Sequence, residues 1–342
     1  MKAMILENLG PLAVNPAPLR LVTLPDPSPG PGELLIRVIT SGVCHTELDE
    51  IEGRMPPPTL PMILGHQVVG KVEASGPGSS RFAIGDRVGV AWIFDSCRKC
   101  RHCEDGNENL CSNFRATGRD VNGGYAELMT VPESFAFSIP EVFTDAEAAP
   151  LLCAGSIGYR SLRLTNLQPG QPLGLTGFGA SGHLVLKMVR HRYPETDVFV
   201  FARSEEERSF ALELGAFWTG NTTDRAPQPL AAIIDTTPVW KPVVEGLRNL
   251  APGGRLVVNA IRKEDHDKDV LQSLDYASDL WMEREIKTVA NVARSDVAEF
   301  LELAAEAPIC PEVQEFPLED ANAALQELKN RRIRGGKVLR VS

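Results

Sequence analysis

The sequence predicts an α/β protein whose second half is a parallel β-sheet covered by helices. Three observations support this. Strand-like apolar runs alternate with helical stretches from residue 172 to residue 258. A glycine-rich run, Gly177-Phe178-Gly179-Ala180-Ser181-Gly182, falls between the first strand and the first helix of that alternation. The length of 342 residues suggests two domains, each able to bury a substantial core.

The elements follow in order. Residues 172–176 form a short strand, and residues 183–190 carry apolar positions at helical spacing. The glycine run between them matches G-x-G-x-x-G, a pattern that means little outside a strand–turn–helix context and gains weight inside one. Its glycines permit a tight turn and a close backbone approach to a pyrophosphate, whose charge the free amides of a helix start can meet. Cofactor contacts are therefore expected at Gly177, Phe178, Gly179, Ala180 and Gly182. A strand at 198–201, a helix at 204–214, a strand at 231–234, a helix at 243–250 and a strand at 255–258 come next, and a short apolar strand is expected at 286–290.

The first half is marked by cysteine. Cys97, Cys100, Cys103 and Cys111 are spaced C-x2-C-x2-C-x7-C. Four thiolates on such short tethers suit a closed tetrahedral zinc. A disulfide knot is the competing reading, but residues 1–10 lack the basic start and long apolar core of a secretory leader. A second, scattered set comprises Cys44, His66 and Cys153. Each alone has an ordinary explanation, as a buried thiol or a turn histidine. Together, two thiolates and one imidazole hold a zinc with its fourth position open to water or substrate. Of seven cysteines these sets absorb all but Cys310, which reads as a packed thiol.

With these motifs in hand, Cys44-His45-Thr46, Gly65-His66, the Cys97 to Cys111 lobe, Leu151-Leu152-Cys153-Ala154-Gly155 and the glycine loop, the chain resembles the zinc-containing medium-chain alcohol dehydrogenases over almost its whole length. The resemblance implies a GroES-like, mainly-β catalytic domain at 1–151 and 292–342, with a structural zinc lobe at about 95–113. It also implies a Rossmann domain, doubly wound around a parallel sheet, at 152–291. The implied activity is hydride transfer between a primary alcohol or its aldehyde and a nicotinamide cofactor, with one catalytic and one structural zinc per chain.

The family's roles pass to matching positions. Thr46 would begin a proton relay from the alcohol, His45 would approach the cofactor phosphate, and Glu47 would orient the imidazole of His66. Three departures stand out. Asp49 replaces the histidine that commonly completes the relay, so Asp49 substitutes or protons leave through ribose and water. Gln67 replaces a glutamate behind the metal. At the position about twenty residues past the glycine loop, where a carboxylate usually holds the adenosine ribose, the chain has Ala202, followed by Arg203 and Ser204. A cation and a hydroxyl there favour NADP(H) over NAD(H), against the opposing charge of Glu205, Glu206 and Glu207.

Trp92, Ile51 and Met55 are expected to line the substrate pocket, sized for medium or aromatic primary alcohols. The net charge of −10 argues against nucleic acid or an anionic membrane as partner, and no apolar run approaches eighteen residues. Reduced thiols at two metal sites point to the cytoplasm. In the family the strand corresponding to 286–290 pairs across a subunit interface, so the resemblance implies a homodimer, with a homotetramer equally compatible. The basic segment Arg331, Arg332 and Arg334 is expected to be solvated. A nucleotide-binding sensor on the same fold is the alternative, and it predicts loss of the open-site ligands.

Overall fold

A computed structural model describes residues 1–307, 309–330 and 335–342; the tail arginines Arg331, Arg332 and Arg334 lie outside them. The chain divides into two compact units, one of Met1–Ser156 with Val292–Ser342, the other of Ile157–Asn291.

The first unit is built on the long strand Glu33–Val43. Along one edge it pairs antiparallel with Val68–Ser75, which leads to Arg87–Val90 and then Ala136–Ser138. On the other edge it pairs with Leu128–Pro132 over residues 33–37 and with Gly336–Arg340 over residues 40–43. The carboxyl-terminal strand is thus stitched into a sheet made by the amino-terminal part. A smaller sheet, Leu19–Thr23, Lys2–Leu6 and Met62–Ile63, and the helix Ala321–Lys329 share an apolar cluster that includes Met4, Leu6, Leu48, Ile51, Leu64, Tyr125 and Leu325. Each fully buried aliphatic side chain there contributes roughly 1.5–3 kcal/mol.

An ionic clasp reinforces that cluster. Glu52 accepts from the Leu12 amide at 3.1 Å and from Lys329 Nζ at 2.9 Å, and it pairs with Arg54. Burial opposes its charge, but Lys329, Arg54 and the Leu12 amide outweigh burial and lower the carboxyl to about 2. A carboxyl depressed in the folded state stabilises above its unfolded value and loses that contribution as pH falls through the folded one. Wild type should therefore lose on the order of 2 kcal/mol relative to Glu52→Gln between pH ~4.5 and pH ~2, allowing for solvent screening at Arg54 and Lys329. Urea denaturation of both proteins across that range checks this; parallel pH profiles would refute it.

The second unit is a six-stranded sheet in which every adjacent pair is parallel. Its spatial order is Trp218–Gly220, Val198–Phe201, Leu173–Thr176, Leu230–Asp235, Leu250–Val258, Glu285–Thr288. Numbered along the chain this is 3-2-1-4-5-6, so the winding reverses between Leu173–Thr176 and Leu230–Asp235, and a crevice opens beyond their carboxyl ends. The inner strands are buried on both faces: Leu173–Thr176 and Val198–Phe201 are buried at every position.

Local details differ from the expectation at three places. The helix expected at 243–250 runs Lys241–Leu247, because the Asn249 side chain bonds the carbonyls of Glu245 and Asp224 and closes the helix end. Leu250 already belongs to the next strand, Leu250–Val258, longer than the expected 255–258. The strand expected at 286–290 is Glu285–Thr288 and is exposed at all four positions, since it forms the edge of the sheet. Among the described residues, no helix is long and apolar enough to cross a membrane.

Candidate active site and metal centres

Cys44, His66 and Cys153 converge within the first unit. One ligand atom from each lies within 4.8 Å of the other two. His66 Nε2 is 3.6 Å from Cys44 Sγ and 3.3 Å from Cys153 Sγ. Ligands bound at ~2.0–2.3 Å to one tetrahedral ion stand roughly 3.5–3.8 Å apart, so the donor set fits zinc. Cys153 reaches the site from a widened helical turn, Leu151–Gly155, a distortion often found where function needs one side chain redirected. That turn is held from both sides: a Cβ on Gly155 would stand 2.1 Å from the Phe300 ring, and one on Gly89 would stand 2.9 Å from Leu152.

His66 is fixed by close backbone packing. Gly65 has φ +95°, and a Cβ there would come within 2.4 Å of the Tyr125 ring. Behind the imidazole stands Glu47, fully buried, with Oε1 2.7 Å from His66 Nδ1. This contact leaves Nε2 as the ring nitrogen that faces Cys44 and Cys153. The other oxygen, Oε2, accepts from the Cys44 amide at 2.8 Å. One carboxylate therefore positions two candidate ligands, as the helix His45–Ile51 begins.

Electrostatics favour an occupant cation. The Cys153 thiol, and then burial, push Cys44 well above its usual range. Burial opposes charge on His66, but Glu47 and Cys44 outweigh it and raise the imidazole. Thiols in such a setting become thiolates when a divalent ion balances them.

The remaining predicted residues are placed as follows. Thr46 is half-buried, with its amide 3.4 Å from Cys44 Sγ. His45 is exposed. Asp49 is 5% exposed, and its Oδ1 accepts from Arg54 Nε at 2.5 Å. Trp92 is half-buried, its ring 5.1 Å from that of Phe114, and Met55 is half-buried. Ile51, expected on a pocket wall, is fully enclosed in the apolar cluster beside Leu48; its place one turn after Leu48 aims it at the core.

Sequence reasoning missed Glu50. It is fully buried, and among the described residues neither side-chain oxygen has a hydrogen-bond partner. Burial, and then the charge of Glu47, push its carboxyl well above the usual range. The available signal was its spacing of three from Glu47, which places both carboxyls on one helix face.

The four-cysteine lobe also closes on itself. Its Sγ atoms all lie within 4.8 Å of one another, with Cys97 4.0 Å and Cys100 3.6 Å from Cys103. Cys111 Sγ accepts from the amides of Cys97 and Asn113 at 3.4 and 3.3 Å. The Lys99 amide, against some burial, lowers Cys97 to about 6, while at Cys100 the Cys103 amide is outweighed by burial and the neighbouring thiols, which raise it to about 11; all four become thiolates together when a divalent ion balances them.

In the second unit, Gly177 has φ +77°, and a Cβ there would lie 2.9 Å from Thr236 and Thr237; a Cβ on Gly182 would lie 2.8 Å from the Gly177 carbonyl. Gly179, which starts the helix Ala180–Arg192, has nothing within 4 Å of where a Cβ would be. That open space over a helix start fits a phosphate. Phe178 is buried and edge-on to Phe210 at 5.7 Å. Arg203 is exposed, two residues past the strand Val198–Phe201. Ser204 caps the helix Glu205–Glu213, its hydroxyl accepting from the Glu207 amide at 3.1 Å while Glu207 folds back onto it. The unpredicted Arg208 donates to the carbonyls of Ala202 and Arg203 at 2.8 and 2.9 Å, bracing that turn.

Residues 30–141 match the family model described as the alcohol dehydrogenase GroES-like domain. The chain is 41% identical to "Probable alcohol dehydrogenase AdhA" of Mycobacterium tuberculosis (strain CDC 1551 / Oshkosh), across 99% of this chain and 97% of that protein. It is 30% identical to an alcohol dehydrogenase of Geobacillus stearothermophilus across the full length of both. Among solved structures, an NAD-dependent alcohol dehydrogenase superposes with a TM-score of 0.87 at 25% identity, each chain covered completely. With its fold, its cysteine and histidine clusters and these relatives in agreement, the chain belongs to the zinc-type medium-chain alcohol dehydrogenase family.

Proposed function

We propose that the protein is a zinc- and NADP(H)-dependent alcohol dehydrogenase acting on medium or aromatic primary alcohols and their aldehydes. The observation that supports this most directly is the convergence of Cys44, His66 and Cys153, with Glu47 behind the imidazole. Two thiolates and an imidazole leave one coordination position for substrate oxygen. A zinc ion there would supply Lewis acidity, stabilising negative charge on that oxygen, and a nicotinamide dinucleotide would accept or donate the hydride. The protein's own groups do the rest. Thr46, next to the ligand set, takes the alcohol proton through its hydroxyl. Onward transfer passes through Asp49, which is already paired with Arg54, or through ribose and water. Glu47 holds the ligand tautomer of His66. Trp92 and Met55 form the apolar side of the substrate pocket.

The cofactor reading rests on Ala202 and Arg203. Ser204 uses its hydroxyl as a helix cap, and Glu207 is drawn to that cap, so Arg203, braced by Arg208, is the principal 2′-phosphate contact. The cluster Cys97, Cys100, Cys103 and Cys111 takes a second, structural zinc. The exposed edge strand Glu285–Thr288 suits antiparallel pairing with a second copy about a two-fold axis, giving a homodimer that a tetramer can contain. The cysteines of the two clusters form no disulfide with one another, which suits a reducing cytoplasm.

The test is reduction of aliphatic and aromatic aldehydes with NADPH and NADH in parallel, before and after chelation. Chelator-sensitive turnover that prefers NADPH supports the reading, preference for NADH overturns the cofactor assignment, and no turnover with either moves the sensor alternative forward. In the same assay, Arg203→Ala should raise the KM for NADPH roughly tenfold or more, the worth of one charged hydrogen bond, and leave the KM for NADH within about twofold. Equal effects on both cofactors would remove Arg203 from the 2′-phosphate.

A further inference from the structure

The carboxyl ends of the two strands at the winding reversal are tied together by a buried ion pair that the activity above does not explain. Thr176 and Asp235 end those strands and face each other in register. Asp235 is fully buried, and its Oδ1 accepts from Thr176 Oγ1 at 2.5 Å, Thr237 Oγ1 at 2.8 Å and the Thr237 amide at 3.3 Å. Its Oδ2 pairs with Lys263, whose side chain is 7% exposed. The same ammonium donates to the carbonyls of Thr237 at 2.7 Å and Val239 at 3.0 Å, which employs all three of its protons.

The place of this pair in the fold is informative. Thr236 Oγ1 donates to the Thr176 carbonyl at 3.0 Å, and Thr236 and Thr237 are the side chains that a Cβ on Gly177 would strike. The buried Asp235 carboxylate is thus next in sequence to the residues packed against Gly177, at the strand ends bordering the switch point where a dinucleotide's pyrophosphate is expected. A buried carboxylate without its partner would repel that pyrophosphate across a low-dielectric crevice.

We propose that Lys263 is a positioning residue for the dinucleotide: by neutralising Asp235 and holding the 237–239 turn, it makes the switch-point crevice tolerant of a dianionic pyrophosphate. The inference rests on the dinucleotide reading above. It extends that reading to a residue far from the glycine motif in sequence, and one that does not itself touch the cofactor.

Removing each charge in turn separates this role from plain structural support. Both Lys263→Met and Asp235→Asn break the ion pair, but they leave opposite net charges in the crevice. Dissociation constants for NADPH and NADH, read by fluorescence titration at low and high salt, should rise about tenfold or more in Lys263→Met, by a similar factor for each cofactor and more steeply at low salt. Asp235→Asn should bind both as tightly as wild type or more tightly, and the double variant should return to within about threefold of wild type. Should Lys263→Met not fold, the Asp235→Asn arm still decides: binding weaker than wild type by more than about threefold, despite the charge it removes, overturns the proposal. Unchanged binding in a folded Lys263→Met also overturns it. Wild type that binds neither nucleotide overturns the dinucleotide reading, and this inference with it, before any variant is compared.

Discussion

Cys153→Ala should lose the zinc proposed for the open site and at least about 10³-fold in turnover, equivalent to about 4 kcal/mol of transition-state stabilisation, with a fall of only a few degrees in unfolding temperature. The activity loss follows from geometry. Cys153 Sγ stands 3.3 Å from His66 Nε2, and removing it leaves Cys44 and His66, too few ligands to hold a zinc with one open position. The small stability effect follows from packing. The turn Leu151–Gly155 is held by Leu152 against Gly89 and by Gly155 against Phe300, contacts that an alanine at position 153 leaves in place. Metal content by mass spectrometry, turnover with the best aldehyde and thermal melting are measured on the same preparation. Retained turnover would end the assignment of Cys153 as a ligand, and a collapse in melting temperature would make it a structural residue. The same measurement on wild type discriminates the sensor alternative, which needs only the ion of the four-cysteine lobe.

Much of the candidate site was legible in the sequence because its donors are chemically rare. The four cysteines at metal-ligand spacing leave few readings, whereas Cys44, His66, Cys153 and Glu47 gain theirs from the order of the family's motifs. The parallel sheet was legible because strands buried on both faces, such as Val198–Phe201, read as unbroken apolar runs bounded by helices. What the sequence could not convey was direction and pairing. Ile51 is as apolar as a pocket residue, and only helix phase decides that it faces the core. Ser204 offers a hydroxyl to a phosphate on paper, yet the local N-cap claims it. Asp235 and Lys263, 28 positions apart, carry no spacing signal at all. Their meeting depends on the strand order, which is set by the whole sheet. Glu50 shows the same limit, since a glutamate in a helix is ordinarily solvent-facing, and its burial depends on the tertiary packing around the helix.

The lobe of Cys97, Cys100, Cys103 and Cys111 should give the converse of the Cys153 result. Between Cys97 and Arg115 only Glu108 and Cys111 are buried, and the regular structure is a four-residue helix and a three-residue turn. A segment with no core of its own depends on cross-links for its shape. Zinc on four thiolates contributes on the order of 10 kcal/mol to a small isolated site, though the lobe also has an anchor in Glu108, which pairs with Arg294 and accepts from its amide at 3.0 Å. Cys100→Ala should therefore lose one zinc and on the order of 4 kcal/mol, lowering the melting temperature by roughly 10 °C. It should also open the exposed Arg98, Lys99 and Arg101 to trypsin. Turnover of the folded fraction should stay within about threefold of wild type, because no residue of the lobe belongs to the Cys44, His66 and Cys153 cluster. Undiminished protease resistance and an unchanged melting temperature in a Cys100→Ala protein that has lost its zinc would show that the lobe is held by its anchor and not by metal.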